Sequence, residues 1–191
     1  STWTYTIGAS TVTSGMKYQV SCWARDAAGN DEPNPPGYPD YVPGDTTRMK
    51  RFLFENTVPD AWVTVPTADL LSELSTISGQ ASDYRSAPLN KAGVDKVQVM
   101  IKDTSNKSWN NSSSVKEWSA PGIDIWNNEA TSTDGWATWK FVINGATYAY
   151  TNGYTYYIWS RARDQSCPAQ TEAAASGNLE TPGSADKTFK Y

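Results

Sequence analysis

Histidine is absent from the 191 residues. That removes the base most hydrolytic sites use, so Ser-His-Asp and Cys-His arrangements and His-containing zinc sites are excluded. Cysteine is nearly as scarce: Cys22 and Cys167 allow one bridge or two thiols, but neither a dense disulfide framework nor a cysteine-only zinc cage. Long apolar runs are missing, and none approaches the roughly 20 residues that cross a bilayer. The first residues, Ser1-Thr2-Trp3-Thr4-Tyr5, have neither the basic start nor the apolar stretch of a signal peptide, so an exported protein with this start is a processed or partial chain. Charge is also sparse, at 19% of residues with a net value of −4 and Lys and Arg scattered, which leaves no clustered basic face for nucleic acid.

What is plentiful is Thr, Ser, Asn, Tyr and Trp, a balance that suits twisted, half-buried strands and an extracellular setting. The length has room for about two sandwich domains of roughly 100 residues each. An internal repeat decides how it is divided. Thr2-Trp3-Thr4-Tyr5-Thr6-Ile7 matches Thr138-Trp139-Lys140-Phe141-Val142-Ile143, and each is followed by a polar loop and a glycine, Gly15 or Gly153. Tyr18 to Asp26 then lies over Tyr156 to Asp164, and both copies run through a long polar loop into Phe52-Leu53-Phe54 or Phe189-Lys190-Tyr191. Side chains alternate with period 2, which predicts an inward face of Trp3, Tyr5, Tyr18, Val20, Cys22 and Ala24 in the first copy. The second copy gives Trp139, Phe141, Tyr156, Ile158, Ser160 and Ala162, with their neighbours on a solvated face.

Material between the copies occurs once: strands at Trp62-Val65, Thr76-Ala81 and Val97-Lys102. Residues 58–191 therefore supply a complete sandwich, while residues 1–57 supply only the closing half of another. Three strands with an apolar face cannot bury it alone, so the first half-domain needs complementation, from a lost preceding segment or from another chain.

The run Tyr18 to Asn30, with Ala24-Arg25-Asp26-Ala27-Ala28-Gly29-Asn30, resembles the F strand and F–G turn of bacterial Ig-like (fibronectin-III-like) repeats of large surface or secreted proteins. Phe54-Glu55-Asn56-Thr57-Val58-Pro59 is similar to that family's inter-repeat boundary, Ile77 to Asp83 resembles its B strand, and the tryptophan-rich middle resembles its longer variants. The resemblance implies an all-β, antiparallel Ig-like β-sandwich: one complete domain preceded by strands E-F-G of another. It also implies a tyrosine corner at Tyr18 and Tyr156, and a cell-surface or extracellular location with roles in adhesion, spacing or appendage building. One departure stands out, because Gln165-Ser166-Cys167-Pro168 occupies the place of Ala27-Ala28-Gly29-Asn30.

Candidate sites are few. Asp83, Asp95, Asp103, Glu117, Asp124 and Glu129 could serve a glycosidase, but no spacing singles out a pair, so the chain is read as non-enzymatic. Asp26, Asn30, Asp31 and Glu32 crowd one turn and form a candidate calcium site, with Asp60 and Asp83 as further oxygen ligands. The competing role for Asp26 and Asn30 is to shape the turn through side-chain to backbone bonds, with Gly29 at positive φ. Trp109, Trp118, Trp126 and Trp136 are candidate platforms for stacking a sugar, or cover for a sandwich edge. Asn106-Lys107-Ser108, Asn110-Asn111-Ser112 and Asn111-Ser112-Ser113 match the N-glycosylation pattern and indicate an exposed loop.

These readings give a non-catalytic structural repeat building a fibre, stalk or filament, whose partners are neighbouring repeats or other copies of itself. The alternative is a carbohydrate-binding or adhesin module using the tryptophans. A spacer in a secreted hydrolase is the third.

Overall fold

A computed structural model describes residues 4–8, 11–22, 24–30, 49–83, 91–112, 116–126, 128–145, 149–166 and 177–191. The described residues are all-β, and every pairing between named strands is antiparallel. The described residues divide into two compact units, those up to Glu55 and those from Asn56 onward.

The first unit holds one two-stranded sheet, β1 (Met16–Ser21) against β2 (Met49–Phe54). The second holds a three-stranded sheet of β3 (Asp60–Val65), β4 (Thr76–Ser82) and β9 (Trp139–Val142), in the order β3-β4-β9. Its larger sheet runs β11-β10-β5-β8, from β5 (Val94–Asp103), β8 (Asn128–Glu129), β10 (Thr155–Asp164) and β11 (Lys187–Lys190). A short ribbon, β6 (Trp109–Asn110) with β7 (Glu117–Trp118), completes it.

Period-2 alternation builds the core of the second unit. On β10, Tyr156, Ile158, Ser160 and Ala162 are buried while their neighbours are only half-buried. Tyr156, Ile158 and Ala162 share one cluster with Val97, Val99 and Ile101 of β5 and with Ala61, Val63, Ile77, Ala81, Trp139 and Phe141 of the smaller sheet, so the two sheets face each other as a sandwich. Gly79 is required here, since a Cβ would collide with the Trp139 indole and the Trp62 carbonyl.

The outer face of β10 differs from the solvated surface expected. Arg161 lays its guanidinium 4.3 Å from the Trp126 ring centre and donates two N–H groups to Gln98 Oε1 at 3.0 and 2.8 Å. Arg163 pairs with Asp95, and Lys102 with Asp124. Cations and aromatic rings cover each other across that face, where Met100, opposite Trp159, is 5% exposed.

The first unit corrects part of the core expectation. Residues 4–8 form no strand, Tyr5 is 79% exposed and Val20 37%, and Tyr18 is only half-buried; Trp3 lies outside the described residues. The second copy shows why: β9 holds its shape by pairing with β4, and Tyr156 is covered from both sheets. Among the described residues of the first unit, neither a β4-like partner nor an opposing sheet is present.

Candidate functional site

The two closing halves can be compared residue by residue. In the first, Tyr18 faces Phe52 and Val20 faces Lys50; in the second, Tyr156 faces Phe189 and Ile158 faces Lys187. The Tyr18 and Phe52 rings stack with centres 5.6 Å apart at 25°, and those of Tyr156 and Phe189 at 5.3 Å and 25°. Tyr18 Oη accepts the N–H of Thr13 at 2.5 Å, and Tyr156 Oη that of Thr151 at 2.6 Å, each five residues upstream. Gly15, at φ 80°, donates to Phe54 O, while Gly153, at φ 84°, donates to Tyr191 O. A side chain is unfavourable at such φ values, so the same glycine starts both hairpins.

The surroundings of the two hairpins differ. In the second unit Tyr156 and Phe189 are each 1% exposed: Tyr150 meets both edge-on, Trp118 stacks on Tyr156 at 5.7 Å, and β5 pairs with the far edge of β10. In the first unit Phe52 is 38% exposed and Met16 43%. Met16, Tyr18, Val20, Phe52 and Phe54 share one face of a two-stranded sheet by register, and burying a side chain of this size contributes about 1.5–3 kcal/mol.

The candidate calcium turn is held by its own side chains. Asp26 Oδ1 accepts the Asn30 N–H and Oδ2 accepts the Asn30 amide, both at 2.8 Å, and the Asn30 bonds hold the Asp26 carboxyl below its ordinary range. Asp31 and Glu32 lie outside the described residues, and no group of three or more acidic, Cys or His side chains placed to hold a metal occurs among the described ones. Asp83 is buried and accepts the N–H of Gly93 at 2.7 Å.

The same clasp recurs in the second unit, where sequence comparison missed it. Asp164 Oδ1 accepts the Asn178 N–H at 2.8 Å and Oδ2 accepts the Asn178 amide at 2.9 Å, the partners being 14 positions apart where Asp26 and Asn30 are four apart. The signal was Gly177-Asn178, which repeats Gly29-Asn30. Gly177 cannot carry a Cβ, which would strike the Asp164 backbone. The intervening Cys167 lies outside the described residues.

None of the four candidate sugar platforms is fully exposed. Trp109 is 1% exposed and belongs to the core, Trp118 is pressed between Trp109 and Tyr156, and one face of Trp126 is taken by Arg161. Trp136 is half-buried against the core. Asn111 is engaged through both ends of its amide, to Asn144 N and Val142 O.

Among the candidate carboxylates, Glu129 pairs with Lys96 at 2.9 Å, Asp103 receives the N–H groups of Ser105 and Lys107, and Glu117 is exposed on β7. The acidic groups brought together are different ones: Glu180, Asp60 and Asp186. Glu180 Oε2 accepts the N–H of Ala162 at 2.9 Å and of Ala61 at 3.0 Å, joining β10 to β3. Burial, with the neighbouring Asp60 charge adding to it, pushes Glu180 up to about 7. Asp186 is also raised by burial, and its Oδ2 accepts the N–H and hydroxyl of Ser160 at 2.7 and 2.5 Å. Glu180 and Asp186 each accept backbone N–H bonds that tie strands or loops together. No family model, curated protein or solved structure matches the chain.

Proposed function

We propose that the chain is a non-catalytic structural repeat of a cell-surface or extracellular protein, an Ig-like module that builds a fibre, stalk or filament by joining half-modules through strand complementation. One observation carries the reading: the same hairpin, with the same glycine, tyrosine bond, ring stack and Asp-Asn clasp, is built twice, once within a sandwich where Phe189 is 1% exposed and once where Phe52 is 38% exposed. A unit copied along a chain suits a protein made of successive modules. The sheet orders β3-β4-β9 and β11-β10-β5-β8 support the Ig-like assignment, with β9, β10 and β11 as strands E, F and G. Against the carbohydrate-binding alternative stand Trp109 in the core and Trp118 and Trp126, each with one ring face against a protein group.

Immunogold labelling of the producing cells, with antibody raised against residues 56–191, tests this. Label on intact cells, repeated along a surface structure, is expected. Label seen only after permeabilisation would overturn the proposal.

A further inference from the structure

The outer face of the smaller sheet is mostly polar, and register arranges its side chains in rows. Trp62 of β3 lies opposite Gln80 of β4; Ser78 of β4 lies opposite Lys140 of β9, which bridges in turn to Thr131. The residues that alternate with these on β3, β4 and β9 belong to the core, so the rows point outward. Thr64, Ser78, Gln80, Thr131, Thr133 and Lys140 line a groove of about 370 Å³ there, a size that suits a small ligand. Much of its hydrogen-bonding capacity is unspent. Among the described residues, the Gln80 amide, the Ser78 and Thr133 hydroxyls and the Lys140 ammonium have no partner within the protein. Thr64 and Thr131 donate their hydroxyls to Ser78 O and Lys140 O, each at 3.3 Å, and keep oxygen lone pairs for an outside donor. Trp62, in the row beside them, is 37% exposed. Lys140 is the only charged side chain in the lining, and Asp134 in the neighbouring turn is occupied by Ser132 and Thr138.

We infer that this groove binds an acidic oligosaccharide, one that contains uronic acid. The C–H face of one sugar ring lies on the Trp62 indole, ring hydroxyls exchange hydrogen bonds with Gln80, Ser78 and Thr133, and a carboxylate meets Lys140. The span fits, since β3 and β9 are two strand spacings apart, about 10 Å. The chemistry fits as well. A groove on a sheet face offers side chains and no free strand edge, which disfavours an extended peptide held by backbone pairing. A single lysine suits a sparse carboxylate and not a phosphate-dense polymer. The site is separate from the tryptophans of the middle section, and it stands whether or not the chain is a surface repeat.

Titration calorimetry of the full chain at low salt tests this, with oligogalacturonate, oligomannuronate and hyaluronan oligosaccharides, each beside its carboxyl-reduced form. At least one acidic form is expected to bind, and its reduced form to bind about two- to five-fold more weakly, the size of one exposed ion pair. Lys140→Gln is expected to abolish that difference. Trp62→Ala is expected to weaken both forms by about ten-fold or more, and Trp62→Phe, which keeps a ring, to weaken them less. Trp62 and Lys140 lie on the outer face, so the Tm of each variant is measured alongside and is expected to stay close to that of the parent chain. Absence of binding by every acidic oligosaccharide at millimolar concentration overturns the inference. Unchanged affinity in a folded Trp62→Ala overturns it too. Equal affinity of the parent chain for acidic and reduced forms overturns the acidic class and the role of Lys140.

Discussion

Asp164 and Asn178 hold each other by two bonds, backbone N–H to Oδ1 at 2.8 Å and side-chain amide to Oδ2 at 2.9 Å. Asp164 is 1% exposed and also accepts the N–H and hydroxyl of Ser166 at 2.9 and 2.6 Å. A buried carboxylate is tolerated only when its lone pairs are filled. Asn178→Ala is expected to destabilise the second unit by about 1–3 kcal/mol in urea denaturation, since it leaves a charged acceptor short of a partner. Asn30→Ala, which breaks the solvent-exposed version with Asp26, is expected to leave the denaturation midpoint of the second unit unchanged.

A parallel contrast separates the two ring stacks. Phe189 is 1% exposed and Phe52 is 38% exposed, although each faces its tyrosine in the same geometry. Phe189→Ala is expected to cost about 3–5 kcal/mol, the range for a large core side chain replaced by a cavity. Phe52→Ala is expected to cost about 1 kcal/mol or less, because partly exposed sites rarely exceed that. Equal losses in chemical denaturation would show that the two faces are equally covered.

Acidity is expected to stabilise the second unit. Unfolded, Glu180 titrates near 4.5; folded, it is held at about 7 by burial and by the charge of Asp60 on β3. Between those values the folded chain keeps a proton that the unfolded chain has released, so this contribution is complete below about 4.5 and is lost as pH rises through about 7. Asp186, raised by burial and by Asp60 and drawn back by Ser160 and Lys187, acts in the same direction. Asp134, held low by Thr138 and Ser132, acts in the opposite direction only below its ordinary 3.8. The Tm is therefore expected to be higher at pH 5 than at pH 8, and Glu180→Gln to remove most of the difference. A Tm that rises from pH 5 to pH 8 would contradict this.

Much of the fold was legible because alternation leaves a strong mark on strands that are buried on one face. Trp139, Phe141, Tyr156 and Ile158 are in phase in the sequence and are inside the core. The same alternation misled at Tyr5 and Val20, because periodicity records which side a residue would turn toward a core and not whether an opposing sheet is there. Trp109 and Trp126 were unreadable as sugar platforms for a related reason. What covers a ring in a long loop comes from distant segments, such as Arg161 on β10 over Trp126. Glu180 carried no local signal, since its two N–H donors come from strands 18 and 119 residues away.

Gly79 gives the most direct test of how the smaller sheet and its tryptophan fit. It lies in the middle of β4, where a glycine ordinarily weakens a strand, yet it faces inward between the buried residues Ile77 and Ala81. The missing side chain is what admits the Trp139 indole, which is 2% exposed and crosses directly over the Gly79 backbone. An added methyl would strike Cζ2 and Cε2 of that ring on one side and the Trp62 carbonyl on the other. Backbone cannot withdraw from a β3–β4 pairing without breaking ladder bonds, so the indole has to move, and the surrounding core is closed. Gly79→Ala is therefore expected to lower stability by at least about 1–3 kcal/mol, the cost of overpacking a filled core, despite the better strand propensity of alanine. The pair Gly79→Ala with Trp139→Leu is expected to recover part of that loss relative to the sum of the single changes, and strict additivity in denaturation would show that the two residues do not share the space.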